Sequence, residues 1–406
     1  MKKNQFKSFS PKALAIATLS VATLASCSKD EISNNMTQDN FKQEAPVSEK
    51  STGEYIVVMK DGSQISGEAS GSAANILAQA KTMLAENNIG GIEINENNAI
   101  SNGFTAKLTA LQLSSLKSDN RIAYIEEDRI VYPAMADGDI KSTTIGTTQQ
   151  KSWGVTKVGG PGNGVGKTAW IIDSGIDPNH SDLNVDKTRS KSFLTSTQGS
   201  DYKSYADAYG HGTSVAGIIG AKNNGFGTVG VAAGATLVSL RVMDAKGSAY
   251  VSKIAAALNW VAYYGKPGDV VNLSIGFGVS TTVDAAVKKV AAKGIYVAIA
   301  AGNSATDAAN SSPARVNATN VFTVSNMNST AIFNSTSNYG ATTVDYAAPG
   351  VNIVTTAKGN GYAIFNGTSA AAPHMAGILL LNAGKPRANG YVSGDKDAKT
   401  DPIASR

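Results

Sequence analysis

The alternation of apolar and polar positions divides the first third of the chain into a polar stretch and a patterned one. Residues 28–52 are polar and lack an apolar period, which is typical of a disordered tether. From residue 53 to 133, strand-like and helix-like patterns follow one another. Strands are predicted at 54–59, in extended segments within 92–108, and at 123–131, and helices at 72–86 and 111–116. This βαββαβ order predicts a small α+β, ferredoxin-like domain.

A polar, turn-rich segment at 134–152 predicts a linker, and a different pattern occupies residues 153–406. Apolar runs of strand length are found at 169–173, 236–242, 270–275 and 296–300, and helical patterns at 250–264, 282–293 and 370–381. Alternating strands and helices predict an α/β fold, in which a parallel sheet is covered by helices on both faces. The tail from Gly384 to Arg406 shows no clear element.

The first 27 residues have the pattern of an export signal. A basic start is followed by the apolar stretch Ala13 to Ala25, which is too short to span a membrane. The sequence Leu24-Ala25-Ser26-Cys27 resembles the lipobox of bacterial lipoproteins, and Cys27 is the only cysteine. We therefore expect an exported lipoprotein precursor at the outer membrane or cell surface, with a lipid on Cys27. The alternative is an ordinary signal peptide with a chance cysteine.

Charge is distributed unevenly along the chain. Residues 28–133 hold 9 Lys and Arg against 15 Asp and Glu, whereas residues 134–406 hold 23 against 16. An acidic segment that docks on a basic domain explains this asymmetry, and drift in composition is the alternative. No pattern of interleaved basic and aromatic residues supports nucleic-acid binding, so no nucleic-acid partner is expected.

Three short segments carry candidate catalytic residues. Ser369 opens the helical pattern after Asn366-Gly367-Thr368, although a serine there is by itself an ordinary helix cap. Asp173 ends an apolar strand, and His211 lies between two glycines. An Asp, a His and a Ser in this chain order match one arrangement of the serine-nucleophile triad. His374, in the helix after Ser369, and His180, in a loop, are less suited to act as the base.

These three segments resemble the aspartate, histidine and serine signatures of the subtilisin-like serine proteases, the subtilases, over about residues 149–383. The resemblance implies a serine endopeptidase that hydrolyses polypeptide substrates through an acyl-enzyme. It implies that Ser369 is the nucleophile, His211 the base and Asp173 the group that orients the base. The segment Ala300-Ala301-Gly302-Asn303 resembles the oxyanion segment of the family, which implies that the Asn303 amide is a donor.

The resemblance extends to the peptide-binding segments. Gly247-Ser248-Ala249 and Ser274-Ile275-Gly276 resemble the two segments that hold a peptide as an added strand, and Ala301 and Gly302 border the same cleft. Phe277 stands where the family commonly has glycine, which leaves specificity open. A benzyl group there either narrows a pocket or adds apolar contact.

A further resemblance concerns a structural Ca²⁺ site. The loop from Asn223 to Gly230 resembles the strong calcium loop of the family, and an Asn-Gly turn is the alternative. The implied ligands are the side chains of Gln149, Asp182 and Asn224 and the carbonyls of Lys222, Phe226 and Thr228.

The region 53–133 resembles the inhibitory propeptide of subtilases, especially at Tyr-Ile-Glu-Glu-Asp, residues 124–128. We therefore expect a zymogen that processes itself near Ala134-Met135 and keeps its own prodomain as an inhibitor. The sequence leaves two alternative functions open. One is a catalytically silent subtilase fold used as a surface binding module, and the other is a processing protease of narrow specificity.

Overall fold

The computed structural model describes residues 49–60, 73–92, 94, 99–100, 102–132 and 140–406. Strands of the N-terminal domain are β1 (Glu49–Met59), β2 (Ala99–Ile100), β3 (Gly103–Lys107) and β4 (Ile122–Val131). Its helices are α1 (Ala73–Glu86) and α2 (Ala110–Lys117). In this part of the chain and in the larger domain that follows, no described helix is both long and apolar enough to cross a membrane.

The strands of the larger domain are β5 (Ile140–Thr143), β6 (Gly162–Asn163), β7 (Thr168–Asp173), β8 (Lys191–Ser192), β9 (Ala232–Ala233), β10 (Thr236–Arg241), β11 (Ala249–Tyr250), β12 (Val270–Leu273), β13 (Phe277–Gly278), β14 (Tyr296–Ala300), β15 (Ser311–Ser312), β16 (Val321–Met327), β17 (Tyr346–Pro349), β18 (Ile353–Ala357), β19 (Gly361–Phe365), β20 (Arg387–Tyr391) and β21 (Pro402–Ser405). Its helices are α3 (Trp153–Lys157), α4 (His211–Gly220), α5 (Val251–Tyr264), α6 (Thr281–Ala292) and α7 (Thr368–Leu381).

The N-terminal domain has the βαββαβ order that its sequence pattern predicts. Its antiparallel strands lie in the order β4-β1-β3-β2, and α1 contributes Ile76 and Met83 to a core that also holds Phe104 and Leu116. The sheet continues into the larger domain, because β11 pairs with β4. The two domains therefore share one five-stranded sheet.

The prediction of a tether over residues 28–52 is wrong at its C-terminal end. Strand β1 begins at Glu49, where Glu49 pairs with Val131 and Lys50 with Ile130. Polar side chains do not prevent this, because Ser51 bonds to Glu127 and Thr52 bonds to the carbonyl of Asp128. The part of β1 before Glu54 pairs with β4 but not with β3, and its polar side chains have polar partners, so it needs no apolar alternation.

The larger domain is built on a nine-stranded sheet in the order β20-β21-β17-β16-β14-β12-β7-β10-β8, as the predicted α/β class requires. All neighbouring pairs are parallel except β20 with β21. Successive residues of β7 enter different cores: Trp170 packs with α5 and α6, and Ile171 packs with α4 and α7. Helices thus cover both faces, and the carboxyl ends of the strands form one edge.

Two further sequence predictions need correction. The segment 134–152 is not only a linker, because β5 pairs with β19 and Ile140 lies opposite Phe365. The tail after Gly384 does carry elements, since β21 joins the main sheet beside β17 and Ile403 is buried there. Both strands are four residues long, too short to show a period in the sequence.

Candidate active site

Asp173 and His211 form a buried pair at the carboxyl edge of the sheet. Asp173 ends β7, His211 begins α4, and both side chains have no exposed surface. The Nδ1 atom of His211 lies 2.8 Å from each carboxylate oxygen of Asp173. Gly212 permits this approach, since a Cβ there would lie 2.1 Å from the carbonyl oxygen of Gly175. The carboxylate therefore holds the ring in one orientation, with Nδ1 facing Asp173.

Ser369 is the second residue of α7, in the first turn, where backbone N–H groups have no partner within the helix. Its hydroxyl donates to the carbonyl of Ser274 at 3.4 Å. Phe365, at the end of the strand that leads into α7, packs edge-on against the ring of His211 with 5.2 Å between centroids. The serine segment and the histidine are thus held together by the chain just before the nucleophile.

Asn303 follows β14 and is fixed by Thr368. Its Oδ1 atom accepts hydrogen bonds from the backbone N–H and the hydroxyl of Thr368, both at 2.8 Å. These bonds identify Nδ2 as the donor end of the amide. The hydroxyl oxygen of Thr368 also accepts from the N–H of Gly302 at 3.1 Å. The donor amide is therefore preorganised, as stabilisation of an oxyanion requires.

Asn338 supports the same segment and was missed by the sequence analysis. Its Nδ2 donates to the carbonyl of Ala301 at 2.9 Å, and its Oδ1 accepts from the N–H of Ser304 at 3.0 Å. A Cβ on Gly302 would lie 2.4 Å from that Nδ2, so only glycine fits. Asn338 lies 35 residues beyond Asn303, in a segment without a pattern that points to the site.

The other two histidines have structural surroundings. His374 is fully buried in α7, where its Nδ1 donates to the carbonyl of Ala370 at 2.8 Å, and burial lowers its pKa to about 4. His180 accepts from the N–H of Asp182 at Nδ1 and donates from Nε2 to the carbonyl of Gly361 at 2.9 Å. Neither ring touches Ser369 in these bonds, which leaves His211 as the candidate base.

The first predicted peptide-binding segment is paired with the N-terminal domain. Ala249 and Tyr250 pair antiparallel with Val131 and Ile130, so β4 already lies on this segment as an added strand. The ladder begins at Ala249, after the predicted Gly247 and Ser248. Those two residues form a turn, in which the Ser248 hydroxyl donates to Asp244 at 2.6 Å and Gly247 packs against the ring of Tyr209.

The second predicted segment, Ser274 to Phe277, contacts both the nucleophile and the core. The hydroxyl of Ser274 donates to the carbonyl of Ser369 at 3.0 Å and accepts from the amide of Asn272 at 2.9 Å. Phe277 pairs with Ser312, is 1% exposed and belongs to the same apolar cluster as Val131. Its ring is thus part of the packing beneath the bound strand.

Two carboxylates of the N-terminal domain cap helices of the larger domain. Asp128 accepts from the N–H of Ser252 at 2.9 Å and from its hydroxyl at 2.6 Å, at the start of α5. Glu126 accepts in the same way from the N–H and hydroxyl of Thr282 at the start of α6, at 3.0 and 2.9 Å. Burial raises the pKa of Asp128 to about 6. Both contacts join an anion to a helix N-terminus.

The predicted calcium ligands lie together. Nε2 of Gln149 is 2.8 Å from the carbonyl oxygen of Lys222 and 3.2 Å from those of Phe226 and Thr228. It is also 3.4 Å from Oδ1 of Asn224, whose Nδ2 donates to Asp182 at 3.0 Å. Asp182 is fully buried, and burial raises its pKa. Four oxygens therefore surround a single amide nitrogen, which has only two protons to share among them.

Fold and site together define a serine hydrolase, and comparisons with known proteins identify its family. The Subtilase family profile matches residues 166–387, and the Peptidase inhibitor I9 profile matches residues 54–134. The chain is 37% identical over 292 residues to subtilisin-like serine protease AsES of Sarocladium strictum, a match that covers 70% of each protein.

It is also 36% identical over 291 residues to alkaline serine exoprotease A of Vibrio alginolyticus, covering 69% of this chain and 51% of that protein. The chain therefore spans about half the length of this Vibrio relative. A solved structure, of a cold adapted subtilisin-like serine proteinase, matches with a TM-score of 0.54 and 32% identity, over 62% of this chain and 96% of that one. The chain belongs to the subtilase family of serine proteases and carries an I9 propeptide domain.

Proposed function

We propose that the protein is an exported serine endopeptidase, made as an autoprocessed zymogen, with Ser369 as nucleophile. The observation that carries the assignment is the buried Asp173–His211 pair beside the start of α7. In the proposed reaction His211 takes the proton of the Ser369 hydroxyl as its oxygen attacks the peptide carbonyl. His211 then returns the proton to the leaving amine, and water repeats the cycle on the acyl-enzyme.

The developing oxyanion would be stabilised by two donors. One is Nδ2 of Asn303, which Thr368 aims by holding the opposite end of the amide. The other is the backbone N–H of Ser369, at the positive end of α7. These groups are in place before substrate binds, so little reorganisation is needed when charge develops.

Polypeptide substrates would bind as an added strand where β4 lies in this structure. Pairing at Ala249 and Tyr250 uses backbone groups and so accepts many sequences, whereas side-chain pockets set preference. The residue that occupies the position of Val131 would face the apolar cluster that includes Phe277. A narrow processing specificity remains the second candidate, and cleavage of a peptide library distinguishes it from broad degradation.

Maturation is proposed to cut the chain between the prodomain and β5. Val131 pairs with Ala249 on one side of the site, and Ile140 pairs with Phe365, which touches the ring of His211, on the other. The cut predicted at Ala134-Met135 falls between these anchors and lies outside the described residues. N-terminal sequencing of the mature enzyme locates it, and a new terminus beyond Thr143 would overturn this placement.

The residues around Gln149 fit a Ca²⁺ ion, which prefers carbonyl and amide oxygens in sets of six to eight. Three carbonyls and the Asn224 side chain converge there, and Asp182 supplies the nearby negative charge. The proposed ion would bind through Gln149, Asp182 and Asn224 and the carbonyls of Lys222, Phe226 and Thr228. Its role would be to tie the loop to the segment that follows β5.

Membrane attachment is proposed to precede processing. Cys27 lies outside the described residues, and its lipidation rests on the lipobox-like sequence before it. Because Cys27 precedes the proposed cut, processing would leave the lipid on the prodomain and release the protease once the two separate. Fractionation of wild type and Ser369→Ala tests this, and active enzyme whose mature N-terminus is Cys27 would contradict it.

A casein assay and the state of the purified chain test the proposed function. Wild type should process itself and degrade casein, whereas Ser369→Ala should remain an intact, folded precursor. A Ser369→Ala protein that still matures and degrades casein would overturn the assignment of the nucleophile. A wild type that does neither would favour the silent binding module.

A further inference from the structure

Asp207 is a carboxylate that the proposed mechanism does not use, although it lies four residues before His211. Its two oxygens accept five hydrogen bonds from groups that flank the catalytic pair. Oδ1 accepts from the Ser174 hydroxyl at 2.8 Å, the N–H of Tyr209 at 3.0 Å and the N–H of Gly210 at 2.6 Å, and Oδ2 accepts from the N–H and hydroxyl of Thr213 at 2.9 and 2.6 Å. The residue therefore joins the segment after Asp173 to the segment around His211.

Ser174 is the link on the side of Asp173. Its N–H donates to Oδ1 of Asp173 at 2.7 Å, and its hydroxyl oxygen accepts from the N–H of Gly212 at 3.0 Å. A hydroxyl has one proton and two lone pairs. Because Asp207 accepts that proton, the lone pair of Ser174 is kept towards Gly212, the residue next to the proposed base.

Helix α4 is the link on the side of His211. Its N-cap residue, Gly210, provides no side-chain cap. Asp207 supplies that cap from the preceding loop by accepting from the N–H of Thr213, in the first turn. An anion at a helix N-terminus fixes the first turn and is stabilised by its dipole. Since His211 is the first residue of α4, a cap that fixes the first turn also fixes the backbone position from which the imidazole ring extends.

We propose that Asp207 is a positioning residue for the base: through Ser174 and the first turn of α4, it holds the imidazole of His211 against Asp173. This inference rests on the proposed triad. The reacting atoms are not touched by Asp207, which acts on the rate only through the placement of His211. A misplacement of about 1 Å at such a site costs up to about 100-fold in rate.

The test compares Asp207→Asn and Ser174→Ala, singly and together, in the full chain. Asparagine keeps one acceptor oxygen and places an NH₂ group against the other donors. We expect each single variant to lower kcat about tenfold on a peptide anilide, with KM within about twofold of wild type, and to slow self-processing. The double variant should lose no more than the worse single variant, since both act through one network.

Asp177→Asn is the matched control, because Asp177 also accepts several backbone N–H bonds. The partners of its carboxylate are the N–H groups of Gly359 at 2.8 Å, Asn360 at 3.1 Å and Asn179 at 3.0 Å, none of them in the proposed triad. Its own backbone N–H donates to the Thr213 hydroxyl at 3.0 Å, a bond that the substitution leaves in place. The control should retain wild-type kcat. It should also retain the far-downfield proton resonance of the hydrogen bond from His211 Nδ1 to Asp173, which we expect Asp207→Asn to shift or broaden.

Rates are referred to active sites counted with a fluorophosphonate, so that unfolded protein does not lower kcat. An Asp207→Asn enzyme with normal kcat per active site and an unchanged His211 resonance would overturn the proposal, as would losses that add fully in the double variant. If Asp207→Asn does not fold, Ser174→Ala carries the same prediction. Failure of the triad itself would appear separately, as activity retained by Ser369→Ala.

Discussion

The start of α7 and the starts of α5 and α6 share one physical property but are used differently. Each helix begins with N–H groups that have no partner within the helix, and with a partial positive charge. At α5 and α6 N–H groups of the first turn donate to carboxyl groups of the prodomain, those of Asp128 and Glu126. At α7 the first turn holds the neutral Ser369, and Asn303 lies beside it.

The difference distinguishes groups that bind the prodomain from groups that stabilise the transition state. A carboxyl group that accepts hydrogen bonds at a helix start helps to hold the bound state, so Asp128 and Glu126 contribute to inhibition. Where negative charge develops at a helix start only in the transition state, the partial positive charge of the helix lowers the activation barrier of the reaction instead. Changes at α7 should therefore alter the rate and leave prodomain binding intact, whereas changes at α5 and α6 should do the reverse.

The largest expected effect is at α7 itself. Ser369→Ala should remove about 10⁶-fold of kcat, because the nucleophile and its base act as one unit. His211→Ala should lose about as much, while both proteins should melt cooperatively as folded precursors. Processing of the precursor, followed on gels, is the measurement, and a Ser369→Ala chain that matures on its own would break the distinction between the two regions.

The second effect concerns the oxyanion donor. Asn303→Ala should lower kcat by about 10²–10³-fold with little change in KM, the magnitude already known for such a donor in subtilisins. Thr368→Val should produce a smaller loss, since it frees the amide of Asn303 without removing it. Steady-state kinetics on a peptide anilide provide the test, and equal kcat values for Asn303→Ala and wild type would exclude Asn303 from the site.

The third effect concerns the caps at α5 and α6. Asp128→Ala and Glu126→Ala should each weaken retention of the prodomain about tenfold, because a lost cap costs about 1 kcal/mol or more. Activity that appears on dilution of the processed chain measures this release. Glu127→Gln is the control, since Glu127 bonds to Ser51 within the prodomain. If both cap variants release the prodomain at the rate of the control, the contacts of Asp128 and Glu126 do not contribute to its retention.

The fourth effect is a pH dependence of the same contact. Burial raises the pKa of Asp128 to about 6, whereas in a released, solvated prodomain it returns to about 3.9. The complex therefore binds the proton more tightly than the separated domains. Retention should strengthen as pH falls from about 6 towards 4, and this advantage is lost as pH rises through 6.

The expected change in release is about 30-fold over that range. Asp128→Asn should abolish this part of the pH dependence, because the amide does not titrate. Release is measured at each pH and activity is then assayed at one common pH. If lowering the pH speeds prodomain release more in wild type than in Asp128→Asn, the predicted direction of the pH dependence is wrong.

The smallest effect concerns the proposed calcium loop, whose contacts involve none of the three helix starts. Chelation should lower the Tm of the mature domain by a few degrees, because a ligand that binds only the folded state stabilises it. Asn224→Ala should reduce this sensitivity, and Asn223→Ala, at the neighbouring exposed position, should retain it. Identical melting curves with and without chelator would argue against the ion.

The fold class and the order of the prodomain elements were predictable because long apolar runs and helical periods are encoded locally. The short strands were not: β5 and β21 are stabilised by partners far away in sequence, Phe365 and Ala347. The start of β1 at Glu49 was missed for a similar reason, since its backbone pairs with β4 and the side chains of Ser51 and Thr52 bond to that distant strand.

The site shows the same division. Asp173, His211, Ser369 and Asn303 stand in recognisable motifs, and the structure brings the first two into contact. Thr368, Asn338 and Asp207 act by orienting other groups, and that role depends on distances that no local pattern carries. Their only signal in the sequence is proximity to the motifs, which Asn338 lacks.

The most direct test of the central claim is covalent labelling of the processed enzyme with a fluorophosphonate, followed by mass spectrometry of the digested protein. We expect a single adduct on Ser369, formed together with the loss of proteolytic activity. Ser369→Ala should form no adduct, and His211→Ala should react much more slowly. An adduct on another serine, or activity that survives complete labelling of Ser369, would contradict the claim.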